Sequence, residues 1–231
     1  MSARYALYLA PPPESDIWRR ACAWLGRDAA RDADVPFAGP AGVGPARAAA
    51  ITTDARHYGF HATIKAPFRL ADGATPDALC EAAGAFARRR RAFPIDLRLS
   101  ALGSFLALTE ARPSAAIATL HADTLAAFEP FRAPLREADL ARRLAADLTG
   151  QQKRYLAQWG YPYVLDDFRL HFTLTGRLPP EERIALASLL AEHFAGDLAA
   201  PMPVDALCVF EQPSPDAPFR IVYRAPFAAA A

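Results

Sequence analysis

Two stretches of this chain share one pattern, and that pattern limits the fold more than any other feature. "HYGFHATIKAPFRL" (57–70) and "DFRLHFTLTGRL" (167–178) each set His-x-Thr inside an apolar run that reads as a strand. The likeness continues downstream. From His61 to Pro94 is 33 residues, and from His171 to Pro203 is 32. Each copy passes from the His-x-Thr segment through a Pro/Asp/Glu-rich start into helical periodicity. It then reaches Pro-(Ile/Val)-Asp and two alternating apolar runs. Similarity at a fixed spacing marks a duplicated supersecondary unit, here strand–helix–strand–strand. The expected fold class is therefore α+β, bilobal, with a pseudo-twofold duplication and two mostly antiparallel sheets flanking a central cleft.

The local signals agree. Thr75-Pro76-Asp77 supplies an N-cap, a first-position proline and an acidic first turn for a helix running to about Arg90. Pro179, Pro180, Glu181 and Glu182 open its counterpart, with an apolar stripe from Ile184 to Phe194. Strands are expected at Ile95–Ala101 and Phe105–Thr109, and again at Val204–Glu211 and Phe219–Arg224. "QPSPDAP" makes the turn between the second pair. Tyr5–Ala10 reads as an opening strand and Ser15–Leu25 as a helix. The Gly/Pro/Ala-rich 29–45 reads as an irregular loop, a flap or a loose excursion. One bilobal domain over 1–231 is expected, with repeat one at about 57–110, repeat two at about 167–225 and a helical bridge at about 114–160. Arg88–Arg91 falls in a last helical turn, where a solvated cationic terminus is favoured over a nucleic-acid patch.

Composition narrows the function classes. The chain has 231 residues, 52% hydrophobic and 22% charged, which are globular values. A formal net charge of +1 gives no global field to recruit nucleic acid or an acidic membrane. Cys22, Cys80 and Cys208 form neither a CxxC pair nor an even framework, so structural zinc and disulfides are not expected. The N-terminal apolar run is short and stopped by three prolines, and no later segment reaches spanning length. A cytoplasmic location with no membrane association follows as the expectation.

Alternation along a strand puts every second residue on one face. His61, Thr63 and Lys65 then share a face opposite Phe60, Ala62 and Ile64. Arg169, His171, Thr173, Thr175 and Arg177 share another, opposite Leu170, Phe172 and Leu174. If the two polar faces meet across a cleft, two imidazoles stand ready for proton transfer near neutral pH. The threonines would hold a phosphoryl oxygen. Lys65, Arg169 and Arg177 would meet its negative charge. Tyr58, Tyr161 and Tyr163, near the motifs, would pack against a sugar or base, or equally serve ordinary packing between the lobes. No His-x-His, HExxH or DxD lies near either copy, so neither a metal nor another cofactor is expected. His57, His121 and His193 lie outside the repeated His-x-Thr pattern and are read as surface or capping residues.

"FHATI" and "LHFTL" on equivalent strands resemble the paired motifs of the two-histidine (2H) phosphoesterase superfamily. "RYALYLAPPPESDIWRRACAWLGRD", "YGFHATIKAPFRL" and "RYLAQWGYPYVLDDFRLHFTLTGRL" resemble its phosphonate-metabolism branch, found with the carbon–phosphorus lyase pathway. The resemblance implies an RNA 2′,5′-ligase-like bilobal fold, with His61 and His171 as the acid–base pair and Thr63 and Thr173 holding phosphate. It implies a small phosphorylated substrate and a metal-independent phosphodiesterase that hydrolyses a ribose cyclic phosphate. An RNA-end processing enzyme or ligase and a non-catalytic phosphate-binding module are the alternatives. RNA is the weaker partner, for want of a basic stripe.

Overall fold

The structure, a computed structural model, describes residues 3–229. It is α+β, with the elements in this order: β1 (Arg4–Leu9), α1 (Asp16–Leu25), β2 (Arg27–Asp28), β3 (Ala33–Asp34), α2 (Pro45–Tyr58), β4 (Ala62–Phe68) and α3 (Pro76–Ala87). Next come β5 (Phe93–Ile95), β6 (Leu97–Leu102), β7 (Phe105–Glu110), α4 (Ala115–Phe128), α5 (Glu137–Leu144), α6 (Gly150–Trp159) and β8 (His171–Thr173). The chain ends with α7 (Pro180–His193), α8 (Ala195–Leu198), β9 (Met202–Val204), β10 (Ala206–Gln212) and β11 (Arg220–Pro226).

Local chemistry sets the helix ends. Ser15 accepts the Trp18 amide at the start of α1, and Gly26 ends it in a left-handed conformation. Thr75 caps α3 by accepting the Ala78 amide, and Thr149 and Gln152 form a capping box on α6.

Seven strands form one sheet in the order β11-β10-β1-β4-β8-β7-β6, every neighbouring pair antiparallel. The expected pair of sheets is thus joined into one, because β4 and β8 pair at Ala62 and Phe172. That pairing brings the two His-x-Thr segments side by side at the middle of the sheet. A separate ladder sets Pro94 opposite Pro203, so the Pro-(Ile/Val)-Asp segments also meet. Helix α3 packs on β10 and β11, α4 on β4, and α7 on β6 and β7. This covers one face of the sheet, where Ala62, Ile64, Phe172 and Leu108 are fully buried.

Two departures from strict alternation matter for the site. Tyr8 pairs with Thr63, but the next residue, Leu7, pairs with Lys65, so Ile64 is an extra residue in β4. Such a bulge reverses the faces beyond it. Lys65 consequently points away from Thr63, into the helix-covered side. It is 2% exposed and donates to Glu129 Oε2 at 2.7 Å. The second departure follows β8, which ends at Thr173. Leu174 and Thr175 are both buried, and Thr175 Oγ1 accepts the Leu106 amide at 3.0 Å.

His121 is neither a surface nor a capping residue. It is buried, donates Nδ1–H to the Ile64 carbonyl at the bulge (2.9 Å) and accepts the Leu165 amide at Nε2 (3.0 Å). Burial lowers its pKa to about 4, so it stays neutral and ties β4 to the segment before β8. His57 and His193 sit in the last turns of α2 and α7. The 29–45 stretch carries half of the small β2–β3 ladder and leads into α2, a helix absent from the sequence expectation. No helix among the described residues is long and apolar enough to cross a membrane.

Candidate active site

The uncovered face of the central strands floors a cavity of about 490 Å³. His61, Thr63, His171 and Thr173 all line it, as do Tyr8, Tyr58 and Tyr161. Its volume falls within the range of small-ligand sites. The antiparallel pairing of Ala62 with Phe172 sets His61 beside Thr173 and Thr63 beside His171, so each imidazole neighbours the other motif's hydroxyl.

The two rings are held in the same way. His61 Nδ1–H donates to the Gly59 carbonyl at 2.9 Å, and His171 Nδ1–H donates to the Arg169 carbonyl at 2.7 Å. Each bond uses the carbonyl two residues back, which fixes the tautomer and leaves Nε2 as the acceptor nitrogen. Thr63 Oγ1 lies 3.3 Å from His61 Nε2, where its hydroxyl donates to the lone pair. Gly59 makes the first tether reachable. Its φ is +74°, and a β-carbon there would stand 2.6 Å from the Ala29 methyl.

Burial lowers the His61 pKa to about 4; the Gly59 hydrogen bond opposes this, and charge on His171 adds to it. His61 is therefore neutral at pH 7, with Tyr8 stacked on its ring at 3.9 Å between centroids. Burial also raises the Tyr8 phenol well above its ordinary value, so it enters the site as a neutral donor. Among the described residues no group of three or more His, Cys, Asp or Glu could hold a metal ion.

The positive charge in the cavity comes from Arg4, Arg142 and Arg143, none of them singled out in the sequence. Arg4 is anchored through Nε to Gln212 Oε1 at 2.7 Å. Arg143 lies over the Tyr161 ring at 5.0 Å, and its buried Nε has no hydrogen-bond partner. The arginines read from the motifs lie elsewhere. Arg177 is exposed and lines no cavity described here, because the strand stops before it. Arg169 is exposed and, with Tyr163, borders a neighbouring apolar cavity of about 370 Å³ that shares Thr63, Tyr161 and His171. Lys65, buried against Glu129, is not a substrate-binding residue in this arrangement. A sequence clue to the missed residues exists only for β1, where Arg4 and Tyr8 share a strand parity.

Comparison with known proteins bears on these expectations. Two curated proteins named ribose 1,5-bisphosphate phosphokinase PhnN are similar to this chain, from Janthinobacterium sp. (strain Marseille) and Laribacter hongkongensis (strain HLHK9). They are 38% identical over 229 residues and 40% identical over 226. The alignments cover 97% and 94% of this chain, but 51% and 50% of those proteins. The chain thus spans about half the length of the curated relatives it matches. Their name is that of a kinase, which overturns the expectation of a metal-independent cyclic phosphodiesterase. A family model described as "Protein of unknown function (DUF1045)" matches residues 63–220, from the first motif threonine through the second motif. With well over half of its length matched, the chain belongs to the DUF1045 family.

Proposed function

We propose that the two-histidine cleft is an enzyme site for phosphoryl-transfer chemistry on a small phosphorylated ribose. One observation carries the reading: two imidazoles, each tethered at Nδ1 so that Nε2 keeps its lone pair, line one cavity together with three guanidiniums. The neutral His61 takes a proton from the attacking group through Nε2. His171, in its protonated form, gives one to the departing oxygen. Thr173, and Thr63 once substrate displaces its hydrogen bond to His61 Nε2, donate hydroxyls to the non-bridging oxygens. Arg143, which lines this cavity and not the neighbouring arginine-rich one, meets the charge that builds on them in the transition state.

A ribose phosphate is supported by the size of the cavity, by its tyrosines, and by the relatives' printed name. The phosphonate-metabolism likeness of the motifs is in keeping with it. The kinase activity in that name belongs to chains about twice as long. This sequence contains no G-x-x-x-x-G-K-[ST] run of the kind that cradles a nucleoside triphosphate.

The test is a ³¹P NMR screen of ribose phosphates, with and without ATP, following any change at phosphorus. The expected result is turnover of a ribose phosphate whose kcat/KM falls as pH drops through about 4, where His61 protonates and the base is lost. No turnover of any ribose phosphate, or an acid limb centred on the ordinary histidine value of 6.5, would contradict the assignment.

A further inference from the structure

The cleft continues into a second cavity of about 350 Å³, which shares Arg4 and Arg142 with it and is also lined by Arg69, Arg136 and Asp139. Together the two cavities hold five guanidiniums and a single carboxylate, that of Asp139. The chain as a whole carries a formal charge of only +1, so the surplus is local. Asp139 is already committed: Oδ2 accepts from Arg69 Nη1 at 2.9 Å, and Oδ1 from Arg142 Nη2 at 2.8 Å. Among the described residues, Arg4, Arg136 and Arg143 have no carboxylate partner. Like charges facing one hollow repel, and an anion seated between them relieves that repulsion.

One phosphate between the histidines leaves this outer arginine group unmatched. We propose that the second cavity is a subsite for a second phosphate, held by Arg4, Arg136 and Arg142. The molecule that occupies the cleft is then a bisphosphorylated small molecule, one phosphate at the imidazoles and the other at the arginines. Asp139 acts as a strut that fixes Arg69 and Arg142 and is not a ligand. This inference rests on the reading of the cleft given above and names its substrate class.

Arg136 separates the two ideas, because it lines only the outer cavity and is exposed. Calorimetry on the full chain in about 0.15 M salt, where fields fade over about 8 Å, compares ribose 5-phosphate with ribose 1,5-bisphosphate. The wild type is expected to bind the bisphosphate at least ~10-fold more tightly. Arg136→Glu is expected to reduce that preference to within ~3-fold while changing the monophosphate dissociation constant by less than ~2-fold. Equal affinities in the wild type, or a preference that survives Arg136→Glu, would overturn the second subsite while leaving the histidine site intact. Failure of both sugar phosphates to bind would refute the reading of the cleft, and this inference with it.

Discussion

Alanine in place of His61 or His171 is expected to lower turnover of a ribose phosphate about 10²–10⁴-fold, the usual worth of a positioned acid or base. The two losses should not add. A base that has no acid opposite it, or the reverse, leaves the same incomplete device, so the double variant should fall to about the level of the worse single one. The fold supports this expectation, since neither ring is part of the packed side of the sheet. Their neighbours Ala62 and Phe172 fill that role and are fully buried. Circular dichroism and thermal melts of the variants should therefore stay close to wild type. A variant that keeps full turnover would remove that histidine from the acid–base pair.

The second large effect concerns stability. Glu129 accepts from Lys65 through Oε2 and from Arg132 through Oε1, so one carboxylate serves two cations. Burial lowers the Lys65 pKa, and the Glu129 hydrogen bond and charge hold it up. Glu129→Ala leaves the Lys65 ammonium buried beneath α4 without a counter-charge. Breaking a buried pair from one side costs about 3–5 kcal/mol, read as a shift in the urea midpoint. Lys65→Met should behave oppositely. It removes the buried charge, leaves Glu129 paired with Arg132, and should stay within about 1 kcal/mol of wild type. Its affinity for ribose 5-phosphate should be unchanged. Loss of that affinity would restore Lys65 to the site and contradict the register of β4.

These two cases also mark how far the sequence could be read. That His61, Thr63, His171 and Thr173 share one face is legible because alternation holds across the three or four residues that floor the cavity. It fails just beyond them on both strands. The bulge at Ile64 follows from how β1 and His121 meet β4, partners distant in sequence, so no pattern within "HATIK" reveals that Lys65 turns inward. Arg177 was misplaced for a related reason. Thr175 is drawn in to satisfy the Leu106 amide, and the chain leaves the sheet before the arginine.

Most of the helices and strands expected in the two His-x-Thr segments and their downstream runs could be seen from caps and periodicity. The joining of the two halves into one sheet could not. It depends on the Ala62–Phe172 pairing between strands over a hundred residues apart. The arginines were hidden for a plainer reason. On α5, Arg142 and Arg143 look like any solvated helical turn until the fold brings that turn to the mouth of the cleft.

The most direct test of the central claim is an NMR titration of the full chain with ribose 5-phosphate, following the imidazole Cε1–H signals. His61→Gln and His171→Gln variants would assign the two resonances. If one phosphate sits between the rings, both signals should move together and report one dissociation constant. Movement of only one signal, or two unrelated binding curves, would mean that the histidines do not share a ligand.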